Sequence, residues 1–109
     1  MAISYLLRRP RLYEEFLRYE TVQRWAKGLK VGPGKKTALY HFTRYMHFLN
    51  ENGIEKDPDK LINECLDGHN RTLIIHLDWI KQFVEGDSLG GVGYAGRNRV
   101  YASVRSFYN

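Results

Sequence analysis

The residue types able to carry acid–base, nucleophilic or metal chemistry are few in this chain and badly spaced for it. Histidines fall at 41, 47, 69 and 76, and cysteine occurs once, at 65. No two histidines have the i, i+4 spacing that stacks a pair of imidazoles on one helix face, and a lone cysteine makes neither an internal disulfide nor a Cys-pair zinc site. His76 falls among Leu73, Ile80 and Phe83 and reads as a core or boundary histidine satisfied by a neighbour. Serines and carboxylates form no local triad or nucleophile elbow, and Glu14-Glu15 reads as part of a solvated helix face. Gly91-Val-Gly93-Tyr-Ala-Gly96 has the letters of a dinucleotide fingerprint, but a helical pattern precedes it and no βαβ unit has room to follow. Gly32-Pro-Gly34-Lys35-Lys36-Thr37 hints at a phosphate loop without its spacing. A helix N-terminus flanked by two lysines and facing an anion is the better reading. No cofactor, metal or catalytic residue is asked for.

What the chain does offer is donors without acids. Residues 1–49 carry ten basic and three acidic residues, 50–88 four and nine, and 89–109 three and none. Net charge therefore runs +7, −5, +3 along the chain and sums to +5. Both ends folded onto one face would attract a polyanion. On a helical wheel, Leu39, Phe42, Tyr45, Met46 and Leu49 define a core arc for residues 35–52. The opposite arc holds Lys36, Thr37, Tyr40, His41, Arg44 and His47. Each can donate to a phosphate or a base edge, and a helix of this kind fits a major groove.

The elements that must position those donors are helical throughout, since apolar residues recur at i, i+3, i+4 and i+7 and strand-like alternation is missing. Leu12, Phe16 and Tyr19, then Val22, Trp25, Ala26 and Leu29, predict a first helix over about 11–28 with a kink or break where the stripe rotates. Further helices are predicted over about 35–52, 58–67 (Asp57 as N-cap, Pro58 at the first helical position, Leu61, Ile62, Cys65 and Leu66 inward), 69–85 and 97–109. The fold class is all-α, a small bundle of four to five helices in one domain. Glycines at 86, 90, 91, 93 and 96 predict a mobile loop. Arg97 and Arg99 follow it at a helix N-terminus, so they are expected to contact DNA backbone, with the loop ordering only when DNA is present. The apolar stretch Ile3–Leu7 is too short for a signal peptide and no stretch reaches membrane-spanning length, which predicts a cytoplasmic protein without membrane contact.

Three stretches carry a family resemblance. Thr37-Ala-Leu-Tyr40-His-Phe42-Thr-Arg-Tyr-Met-His-Phe48-Leu49 is similar to the opening of the N-terminal core-binding domain of tyrosine recombinases, the phage-integrase and Xer-like enzymes. Arg97-Asn98-Arg99-Val-Tyr-Ala-Ser103-Val104-Arg105-Ser106-Phe107-Tyr108 resembles that domain's last helix, and Glu20-Thr-Val-Gln-Arg-Trp25 its first. The resemblance covers roughly residues 20–109. It implies a SAM-like bundle forming one jaw of a clamp around recombination-site duplex DNA. Lys35, Lys36, Thr37, Tyr40, His41 and Arg44 of the second helix and Asn70, Arg71 and Lys81 of the fourth would then face the groove. Asp78 and Glu85 offset the charge of that fourth helix. The family's catalytic tyrosine and its partners belong to a separate C-terminal domain, absent from these 109 residues, so the chain is expected to bind without catalysis. Its end inside the last helix reads as a domain boundary. Implied partners are duplex DNA and other recombinase subunits on it, with a monomer in isolation and a nucleoid-associated location. The alternative reading is an all-helical protein–protein interaction module.

Overall fold

The computed structural model describes residues 14–30, 33–68 and 70–108. Over them the chain forms α1 (Glu20–Gly28), α2 (Pro33–Glu51), α3 (Pro58–Asp67), α4 (Asn70–Glu85), a 3-10 turn (Asp87–Leu89) and α5 (Tyr94–Phe107), with no strand among the described residues. This is the all-α bundle that the periodicity predicts. The stretch Ile3–Leu7 and Leu12, Gly32, His69 and Asn109, each part of an expectation above, lie outside the described residues.

Several boundaries differ for physical reasons. Residues 14–19 are turns rather than the first half of a helix, with Leu17 N donating to Glu14 O and Tyr19 N to Phe16 O, both at 3.2 Å. The rotation of the apolar stripe marks this break. α2 begins at Pro33, ahead of the expected 35, because a proline in the first turn forfeits only an N–H that has no intrahelical acceptor there. α5 begins at Tyr94, ahead of the expected 97.

Capping is local in two places and borrowed in a third. Asp57 accepts from Lys60 N at 2.8 Å with Pro58 at the first helical position, as its sequence predicts. At the end of α2, Gly53 adopts φ 79°, Gly53 N donates to Asn50 O and Ile54 N to Leu49 O. This is the Schellman arrangement that glycine makes easy. The N-cap of α1, Tyr19, has no side-chain cap bond. Asp59 of α3 supplies the acceptor instead, taking Thr21 N at 3.0 Å and Thr21 Oγ1 at 2.6 Å. One carboxylate thereby satisfies the first turn of α1 and ties it to α3.

The core is aromatic. Phe42 of α2 lies 4.4 Å from Phe107 of α5, centroid to centroid, and Trp25 of α1 sits 5.4 Å and 5.7 Å from the same two rings. Trp25 Nε1 is satisfied by Ser106 Oγ at 2.9 Å. Leu39, Met46 and Leu49, as expected from the wheel, complete the interior with Leu61, Ile80, Phe83, Val84, Val100 and Val104. Leu66 departs from expectation: it is 76% exposed, while Leu61 takes the inward position on α3. Ile74 and Ile75 of α4 are exposed as well.

The α3–α4 turn depends on Gly68. A Cβ there would meet Thr72 Oγ1 at 2.2 Å and the backbone oxygen of Glu64 at 2.8 Å, whereas one at Gly28 would meet nothing within 4 Å. Gly68→Ala is expected to cost about 1–3 kcal/mol of stability, and Gly28→Ala to be neutral or stabilising by about 0.5–1 kcal/mol. Denaturant midpoints check this, and equal effects would contradict the packing of Thr72 over Gly68.

Candidate nucleic-acid interface

Of the donor arc expected on α2, the structure exposes only the start. Lys36 and Thr37 are exposed, and Lys35 and Arg44 are half-buried. Tyr40 and His41 are interior side chains, at 6% and 7% exposure. Burial runs unbroken through Ala38, Leu39, Tyr40, His41, Phe42 and Thr43. Six consecutive residues exceed one helical turn, so α2 is enclosed on all sides there. This corrects the amphipathic wheel, in which Tyr40 and His41 faced a groove. A surface helix shows a polar back, and this one has none over its middle turns. Thr43 is satisfied within its own helix, its Oγ1 donating to Leu39 O at 2.9 Å.

Burial also changes the chemistry of His41. Desolvation lowers its pKa from 6.5 to about 4, so the ring is neutral at physiological pH and brings no charge to a phosphate. His47, the last donor of that arc, is held by Glu15, Nε2 to Oε2 at 2.5 Å, and its ring meets the edge of Phe16.

Asn70, Arg71 and Lys81 of α4 are exposed, as is Arg99 of α5. The first turns of α2 and α5 contain no acidic residue, and neither does that of α4.

Arg97 has a different task from the one expected. Its Nε donates to Val92 O at 2.9 Å, Nη1 to Val84 O and to Gly86 O at 3.1 Å, and Nη2 to Leu89 O at 3.1 Å. Four of its five N–H groups are thus committed to backbone carbonyls. Two of those carbonyls lie at the C-terminal end of α4, where the helix dipole favours a cation. The glycine-rich segment folds around this guanidinium. Asp87–Leu89 forms the 3-10 turn, Leu89 is fully buried in the core, and Gly91 takes φ 86°, which an L side chain resists. Where the sequence predicts a mobile loop, the structure has a 3-10 turn and the first turn of α5 gathered around Arg97.

A second polar constellation has no signature as a unit in the sequence. His76, 1% exposed, bonds Glu64 Oε1 through Nε2 at 3.0 Å and the Tyr108 hydroxyl through Nδ1 at 3.1 Å. Tyr108 bonds the Tyr45 hydroxyl at 3.0 Å, and Lys56 Nζ donates to Glu64 Oε2. The satisfied core histidine read from the sequence is present, and its partners come from α3 and from the residue after α5. Burial would raise the Glu64 pKa, but hydrogen bonds from Lys56 and His76, with the Lys56 charge, outweigh it and hold it below the usual carboxylate value. Burial, then the nearby Glu64 charge, pushes the Cys65 thiol up, away from reactivity. Among the described residues no group of three or more His, Cys, Asp or Glu side chains is placed to hold a metal ion, and no helix is long and apolar enough to cross a membrane.

Two measurements check these placements. Arg97→Lys, which keeps the charge but loses the fork, is expected to destabilise the fold by about 1–2 kcal/mol, because partly buried carbonyls lose their donors. Unchanged stability with weakened duplex binding would instead make Arg97 a phosphate contact. NMR titration should place His41 near pH 4. Between pH 6.5 and 4 the unfolded chain then binds a proton that the native ring refuses, so this residue makes stability fall as pH falls through that window. Titration near 6.5 would contradict its burial. No protein-family model matches the chain, and no curated protein or solved structure matches it either, so the functional reading rests on the chain's own residues.

Proposed function

We propose that the chain binds duplex DNA without catalysing a reaction on it, as the core-binding jaw of a tyrosine recombinase, holding recombination-site DNA alongside other subunits. The observation that carries the reading is the distribution of cations. Exposed Lys36 stands at an acid-free first turn of α2, and Arg99 and Arg105 are exposed on a last helix that contains no acidic residue. The acidic residues concentrate between 50 and 88. Helix starts with free N–H groups and flanking cations suit backbone phosphates. With Tyr40 and His41 interior, the binding proposed here is phosphate-directed rather than base reading by the middle of α2. Lys36, Thr37, Asn70, Arg71, Lys81 and Arg99 are the proposed contacts.

A second reading, a protein-interaction module, is favoured by one feature: Leu66, Ile74 and Ile75 are large apolar side chains 51–76% exposed. It predicts association in solution without DNA.

Phosphate-directed binding by one small jaw is weak and steeply salt-dependent, with Kd of about micromolar or weaker at low ionic strength. Lys36→Gln with Arg99→Gln is expected to lower affinity several-fold and to reduce the slope of log K against log salt by about one for each cation removed. Fluorescence anisotropy with a labelled duplex checks this. Absence of binding at low salt refutes the DNA reading, and a defined oligomer by sedimentation without DNA supports the second.

A further inference from the structure

The bonds around His76 have a fixed direction. Glu64, its carboxylate held ionised by Lys56 and His76, can only accept, so His76 Nε2 carries the proton and Nδ1 presents a lone pair. Tyr108 must then donate its hydroxyl hydrogen to Nδ1, leaving its oxygen to accept from Tyr45. Donation therefore runs one way, from Tyr45 to Tyr108 to His76 to Glu64, with Lys56 donating to Glu64 from the other side. This line joins α2, α3, α4 and the residue that caps α5.

We propose that this one-way chain is a proton-operated latch: a solvent proton added at His76 Nδ1 reverses it and releases the last turn of α5 from the bundle. Protonated His76 donates from both nitrogens, so Nδ1–H and the Tyr108 O–H meet head-on. Tyr108 must then either turn its hydrogen toward Tyr45, whose own hydroxyl hydrogen has no acceptor among the described residues, or accept from both neighbours and carry its hydrogen outward to water. Tyr45 is fully buried and His76 1% exposed, so in the closed bundle neither finds a replacement partner in water. Tyr108 is half-buried at the end of a helix, and it is the member free to move. An orphaned buried donor is a strong enough penalty to shift a local opening equilibrium.

His76 is faced from several elements. Glu64 and Cys65 come from α3, Tyr45 from α2, Tyr108 from the end of α5 and Lys56 from the α2–α3 linker. Glu64 stabilises the added charge and Lys56 opposes it. Cys65 and both tyrosines are neutral, their pKa values raised first by burial, so none supplies a competing charge. Desolvation lowers the pKa of His76 itself against the pull of Glu64, so the latch is closed at neutral pH and opens on the acid side of the ordinary histidine range.

The test uses the full chain and residue-resolved amide exchange, followed with the His76 ring signals as pH is lowered. As His76 protonates, amides of residues 104–108 should lose protection by about tenfold or more while those of Phe42 and Phe83 keep theirs. Tyr108→Phe, which lacks the hydroxyl that must turn, should abolish the step, with protection of 104–107 independent of His76 charge. His76→Gln, which does not titrate, should abolish it too and controls for the ring. Protonation of His76 without local loss at 104–108 would overturn the proposal. So would protonation that occurs only with global unfolding, or a pH step of full size in Tyr108→Phe.

Discussion

The constraint on which the rest of the structure depends is the enclosure of α2. A helix buried through six consecutive residues, Ala38 to Thr43, has no outward face over that length, so the other elements must cover it from several directions. α1 does so through Trp25 against Phe42, α5 through Phe107 against the same ring, and α4 through Phe83 against Tyr45 and Phe48. An aromatic hub shared by three neighbours is stabilised by area burial and by edge-to-face geometry together. It also explains the short connections, since each neighbour has to return to the same central rod.

Enclosure puts polar groups inside, where an unanswered donor or acceptor is costly. Trp25, Thr43 and His76 each find a partner across or within the bundle. Asp59 caps a helix other than its own. Arg97 answers four carbonyls at once and so turns a glycine-rich connection into a fixed corner. These long-range polar ties set the register of the helices, whereas the apolar contacts alone would tolerate sliding.

How much of this is legible in the sequence follows from the range of each interaction. Short-range signals read correctly: Asp57-Pro58 as a helix start, and the stripe Leu39-Phe42-Met46-Leu49 as core. The wheel failed at Tyr40 and His41, because periodicity separates apolar from polar residues but says nothing about whether a polar arc is also covered. Both side chains are amphipathic enough to be buried, and their types left the question open. The glycine loop failed for a related reason. Counting glycines gives conformational freedom, but an arginine a few positions later removes it through bonds that no local pattern encodes. The isolated His76 within an apolar arc signalled a buried partner. Glu64 and Tyr108 lie 12 and 32 positions from His76, and Tyr45 lies 63 from Tyr108, and nothing in the spacing names them.

For the proposed interface, enclosure takes Tyr40 and His41 out of reach. The proposed binding would be left to helix starts and to the exposed side chains of α4 and α5, where contacts go to phosphates and carry little sequence information. The enclosure itself is tested most directly by side-chain accessibility, measured by photochemically induced nuclear polarisation with a soluble dye and with no ligand required. Tyr94, 83% exposed, should polarise strongly, while Tyr40, Tyr45, His41 and His76 should give no signal. Polarisation of Tyr40 and His41 comparable to that of Tyr94 would mean that α2 presents an open face, and would contradict its enclosure.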